Sequence, residues 1–75
     1  MNRYALGNNI DKRLREIGMT QYRLAKKLGI NQGTLSKWMN GRDPKASMIY
    51  RISKILGVTM EELMEGTDEK LDRDM

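Results

Sequence analysis

Seventy-five residues contain neither cysteine nor histidine. That removes thiolate nucleophiles, disulfides, Cys- or His-ligated metal and the commonest general base. What remains able to do chemistry is a set of amides, hydroxyls and cations, concentrated between Gln21 and Arg42. Within it, Asn31, Gln32, Thr34, Ser36 and Lys37 occupy one short segment, with Asn40 and Arg42 just beyond. Such groups donate and accept hydrogen bonds and attract anions; they do not break bonds. No enzymatic activity, metal or cofactor is expected.

The charge is unevenly placed. Residues 1–58 carry a net +9 and residues 59–75 a net −5, within an overall +4. A basic body with an acidic end suits a polyanion-binding domain whose far side faces away from phosphates. No apolar run approaches the roughly 18 residues of a membrane span, and the start lacks the apolar block of a signal peptide. A cytoplasmic protein without membrane contact is therefore expected.

The elements that must hold these groups are helices. Leu6, Ile10, Leu14 and Ile17 form the stripe of an amphipathic helix that Gly18 ends. Thr20 caps a second helix with Leu24, Ala25 and Leu28 inward, and Gly29 stops it. Asn31 caps a third, Gln32 to about Met39, with Leu35 and Trp38 facing the core. Asn40-Gly41 ends it, and Arg42 to Lys45 reads as a loop because Pro44 restricts Asp43. Ala46, Ile49, Ile52, Ser53 and Leu56 mark the inner face of a fourth helix, closed by Gly57. Thr59-Met60-Glu61-Glu62 is a capping box opening a short fifth helix near Leu63. Residues 1–66 are expected as one domain and residues 67–75 as an acidic, flexible tail.

The pair joined by Gly29-Ile30-Asn31 meets the needs of two helices crossing steeply. Ala25 permits close approach, Gly29 takes the left-handed turn, and Ile30 plugs the corner. The third helix then projects as a ridge, and a helix has the right width for the major groove.

These residues, with Thr20-Gln21, Leu24-Ala25, Leu28-Gly29-Ile30, Gln32, Leu35-Ser36, Trp38, Asn40-Gly41 and Ile55 to Thr59, resemble the phage Cro and repressor type of helix-turn-helix domain, the XRE-like family. The resemblance spans about Ile10 to Leu63. It implies an all-α, five-helix, lambda-repressor-like fold and a sequence-specific transcriptional regulator, expected as a repressor, on double-stranded DNA. The operator is expected to be two-fold symmetric and the protein a homodimer.

Carried over position by position, the resemblance implies that Gln21 meets a phosphate and Gln32, and that Gln32 reads a base. An amide there can bond adenine through N6 and N7. Thr34 and Ser36 reach a phosphate or base edge, or cap locally. Lys37 reaches guanine or a phosphate, Asn40 and Arg42 contact phosphates, and Asn31 joins capping to a phosphate contact. Gly33 stands where relatives place a reading side chain, so either the third helix lies closer to the bases there or, as expected, this position reads less. Where relatives bury an Arg–Glu pair, this chain has Leu14 and Met39, expected buried and touching. Trp38 is expected in the core, and Tyr4, Tyr22 and Tyr50 at the surface. Met60, Leu63 and Met64 form a wider apolar face than one core contact needs. Leu63 is accounted for by the core, and Met60 and Met64 by the dimer contact, with Leu71 a possible addition. The alternative reading is a protein-interaction module on the same fold, such as an antitoxin-like partner.

Overall fold

The computed structural model describes residues 4–66. Five helices follow in order: α1 (Ala5–Ile17), α2 (Gln21–Leu28), α3 (Gln32–Met39), α4 (Ala46–Leu56) and α5 (Met60–Met64). The acidic tail expected at 67–75, including Leu71, lies outside the described residues.

Capping residues set the helix starts. Thr20 Oγ1 accepts from the Arg23 amide at 3.1 Å, and Asn31 Oδ1 from the Thr34 amide at 2.8 Å. The Thr59–Glu62 box is closed on both sides, at 2.8 and 3.0 Å. Each satisfies an amide that the first helical turn leaves without a partner. At the other ends, long side chains from neighbouring helices take the place of intrahelical donors. Asn9 Nδ2 donates to the Leu63 and Glu65 carbonyls, both at 2.7 Å. Arg13 Nε donates to Leu56 O at 2.8 Å and Arg51 Nη2 to Leu28 O at 2.9 Å. Arg13 and Arg51 thus hold the ends of α4 and α2, and part of the basic charge serves the fold.

The core gathers Leu6, Ile10, Leu14, Leu24, Ala25, Leu28, Leu35, Ile49, Ile52, Leu56 and Leu63. α1 packs against α3, α4 and α5, while α2 packs against α3 and α4. Several expectations change here. Ile17 is 37% exposed at the end of the α1 stripe, and Met19 beyond the turn packs against the core instead. Ala46 is exposed at the first position of α4, before its inner face begins, while Pro44 in the preceding loop is buried. Trp38 is half-buried, packing on the core without being enclosed by it. Leu63 is 1% exposed, so it belongs to the core and offers nothing to a dimer partner. Met60 and Met64 also pack on the core but stay half-buried.

Leu14 is buried at 2% exposure, Met39 is half-buried against the core, and the Arg15 side chain beside them is 71% exposed. Neither member of the replaced ion pair lies in open solvent. The backbone of Met39, however, sits against Gly7, two turns or about 10 Å before Leu14 along α1.

Candidate nucleic-acid interface

α2, the turn and α3 form the helix pair anticipated from the sequence. Gly29 adopts φ 74°, and its amide bonds back to Ala25 and Lys26. The Ile30 amide also returns to the Ala25 carbonyl, at 3.1 Å. The left-handed residue reverses the chain without a Cβ penalty. Arg51, from α4, then fastens the last turn of α2 by its bond to Leu28 O.

On α3, Leu35 is fully buried while Gln32, Gly33, Ser36 and Lys37 are exposed. Residues one turn apart share a face, so 32, 33, 36 and 37 make one outward stripe, and Asn40 extends it. Asn31 and Arg42, at the two ends, are exposed as well, whereas Gln21 and Thr34 are half-buried. The sites named from the sequence thus lie on α3 and its two flanks, except Gln21, which opens α2.

Their hydrogen bonding separates them into two groups. Asn31 Oδ1 takes both the Thr34 amide and the Thr34 hydroxyl, the latter at 3.1 Å. Asn40 Nδ2 donates to Ser36 O at 2.8 Å and lies 3.4 Å from Ser36 Oγ. In Asn31, Thr34, Ser36 and Asn40, local capping occupies groups that would otherwise serve as contacts. Among the described residues, the side chains of Gln21, Gln32, Lys37 and Arg42 make no hydrogen bond or ion pair within the chain. A Cβ at Gly33 would stand 3.3 Å from Asn31 Oδ1, so a side chain there would crowd the cap.

The field around the ridge has one sign. No Asp or Glu occurs between Glu16 and Asp43, whereas Arg23, Lys26, Lys27, Lys37 and Arg42 all do, and all five are exposed. Thr20, Tyr22, Arg23, Lys26 and Lys27 line a shallow depression on α2, with Lys26 Nζ 5.8 Å from the Tyr22 ring centre. Tyr22 is 59% exposed, as expected for a surface ring. The two ion pairs of the described residues, Arg13–Glu16 and Arg15–Asp11, lie on α1. Uncompensated cations on and around a hydrogen-bonding ridge without acidic groups suit a ligand with an anionic backbone and polar edges between. The described residues contain no cluster of metal-ligating side chains and no helix long and apolar enough to cross a membrane.

Gly7, Arg13 and Arg51 were not singled out by sequence reasoning. Gly7 carried a signal, being a glycine inside an amphipathic helix with no turn or cap to explain it. Arg13 and Arg51 carried none, since their carbonyl partners lie 43 and 23 residues away in the chain.

A family model described as helix-turn-helix matches residues 10–63. An uncharacterized HTH-type transcriptional regulator, y4dJ, from Sinorhizobium fredii is 35% identical over 68 residues, covering 89% of this chain and 88% of that protein. A second uncharacterized HTH-type transcriptional regulator, from Archaeoglobus fulgidus, is 34% identical over 55 residues, 72% of this chain and 79% of the relative. Among solved structures, the crystal structure of FeII HppE superposes with a TM-score of 0.77 at 21% identity. It matches all of this chain, which spans 42% of that one; the likeness is one of fold alone.

Proposed function

The chain belongs to the helix-turn-helix family, and from that membership we propose that it is a sequence-specific DNA-binding transcriptional regulator, acting as a repressor, that reads the major groove with α3. The observation that carries this reading is the α3 ridge. Its outward stripe presents Gln32 and Lys37, uncommitted among the described residues, on a helix fixed at both ends and surrounded by exposed cations. Gln32 reads a base edge through its amide, and Lys37 reaches a guanine or a phosphate one turn later. Gln21 and Arg42 position the domain on phosphates, which supplies affinity without sequence information. Asn31, Thr34, Ser36 and Asn40 act mainly by shaping the ends of α3, with their remaining lone pairs and protons turned to the duplex. Gly33 reads nothing itself.

The protein works as a homodimer on a two-fold symmetric site, with half-sites about one DNA turn apart. Met60, half-buried at the surface of α5, contributes to that contact, with Met64 beside it. Such a dimer blocks a promoter by occupancy, which asks no further chemistry of the chain.

Gln32→Ala tests the reading. The variant should lose about 1–3 kcal/mol on the preferred duplex and relax preference at one base pair. Equal losses on every sequence would reduce Gln32 to a positioning contact and contradict its reading role.

A further inference from the structure

Gly7 lies in α1, buried, where alanine would favour the helix by up to about 1 kcal/mol. Its reason lies across the interface with α3. A Cβ at Gly7 would stand 2.3 Å from the Met39 carbonyl oxygen, 2.8 Å from Met39 Cα and 2.9 Å from its carbonyl carbon. All three are backbone atoms, so no change of rotamer relieves the overlap. So close a backbone approach is of the kind at which weak Cα–H···O contacts form between crossing helices. Met39 is the last residue of α3, and helix ends leave such carbonyls without an intrahelical partner.

We propose that Gly7 is a positioning residue for DNA reading: by seating the end of α3 directly on α1, it sets the tilt at which Ser36 and Lys37, nearest the seated end, are presented. The inference rests on the reading of α3 given above. α3 is held at its start by the turn from α2, at its middle by Leu35 in the core, and at its end by this seat. A methyl at Gly7 must open the contact by about 1 Å to reach ordinary separation. Over a helix of eight residues, roughly 12 Å long, that displacement tilts α3 by about 5°. Hydrogen bonds to base edges weaken steeply with such shifts. Attraction between cations and phosphates falls only with the inverse of distance. Gly7→Ala therefore harms discrimination more than general affinity.

The test compares Gly7→Ala and Met39→Ala with the unaltered chain. Each is melted by circular dichroism, then titrated against the preferred duplex and a random duplex of equal length over a salt series. Gly7→Ala should fold, and its ratio of specific to random affinity should fall about tenfold or more, the scale of one impaired base contact. Its salt slope should not change, because no phosphate contact is lost. Met39→Ala trims a side chain but leaves the backbone seat, so it should melt lower and keep the ratio. A folded Gly7→Ala with an unchanged ratio overturns the proposal, as does an equal fall in Met39→Ala. Whether or not the glycine variant folds, the unaltered protein should give a nuclear Overhauser contact between the Gly7 and Met39 Hα protons, free and on DNA. Its absence overturns the proposal. A native chain with no preferred duplex at all would remove the DNA-reading premise itself, and with it the proposal. That result is distinct from a preference that merely survives Gly7→Ala.

Discussion

Asn31 joins the fold to the interface, and two substitutions there separate the contributions. Its Oδ1 accepts from the Thr34 amide at 2.8 Å and from the Thr34 hydroxyl at 3.1 Å. Asn31→Ala removes that acceptor. Loss of an N-cap costs about 0.5–2 kcal/mol. The Thr34 amide retains a second, longer approach to the Asn31 carbonyl at 3.2 Å, and the site is exposed to water, so about 1 kcal/mol is expected. For a chain of this size that lowers Tm by about 4–8 °C. Asn31→Asp keeps an acceptor in the same place and puts a negative charge at the positive end of the α3 dipole. It should be at least as stable as the native chain, by about 0.3–1 kcal/mol at low salt. On DNA the order reverses. A carboxylate facing phosphates adds repulsion of about 1 kcal/mol at close range in water, so Asn31→Asp should bind about fivefold more weakly, with a deficit that shrinks as salt rises. Urea titration followed by circular dichroism reads the first effect, and fluorescence anisotropy on a labelled duplex reads the second. Native DNA affinity for Asn31→Asp at low salt would refute placing the start of α3 against phosphates. A native urea midpoint for Asn31→Ala would refute the capping argument.

Three other outcomes follow from the same geometry. Arg42→Ala should weaken binding to all duplexes and reduce the salt slope by about one unit; an unchanged slope would remove Arg42 from the phosphate contacts. Arg51→Ala leaves Leu28 O without its donor and should cost about 1 kcal/mol, with faster amide exchange at Ile30 than at Ile10 marking the turn as the part loosened. Hydrogen bonds from Thr59, its amide first and its hydroxyl second, with the Arg13 charge adding to them, hold the Glu62 carboxyl below its usual pKa. A depressed carboxylate stabilises the fold above its unfolded pKa and loses that contribution as pH falls through the folded value. The urea midpoint of the native chain should therefore drop below about pH 4.5 more than that of Glu62→Gln, and parallel acid profiles would show the box to be unimportant.

Much of this architecture was written locally. Thr20, Asn31 and Thr59 mark helix starts, Gly18, Gly29 and Gly57 mark ends, and the five helices fall where those residues place them. The apolar periods located the core because burial repeats with the helical turn. What stayed hidden depends on distance in space. Met60 and Met64 were assigned to a dimer contact, yet both also pack partly against the core beside the enclosed Leu63. Ile17 continues the α1 stripe in phase, yet it stays 37% exposed while Leu14, one turn earlier, is enclosed. Within the candidate site, residue types showed which groups could meet DNA. They left local capping by Thr34 as one of two readings, and they did not show that Asn40 uses its donor on the Ser36 carbonyl of α3. Nor could spacing reveal that α1 touches the far end of α3 at Gly7, since that contact joins segments more than thirty residues apart.

The most direct test of α3 as a reading helix is selection of binding sites from a random duplex library at near-physiological salt. Enrichment of a two-fold symmetric site, with half-sites about one DNA turn apart, is the expected result. Recovery of no consensus, with binding that vanishes as salt rises, would leave a basic domain without sequence reading and contradict the account.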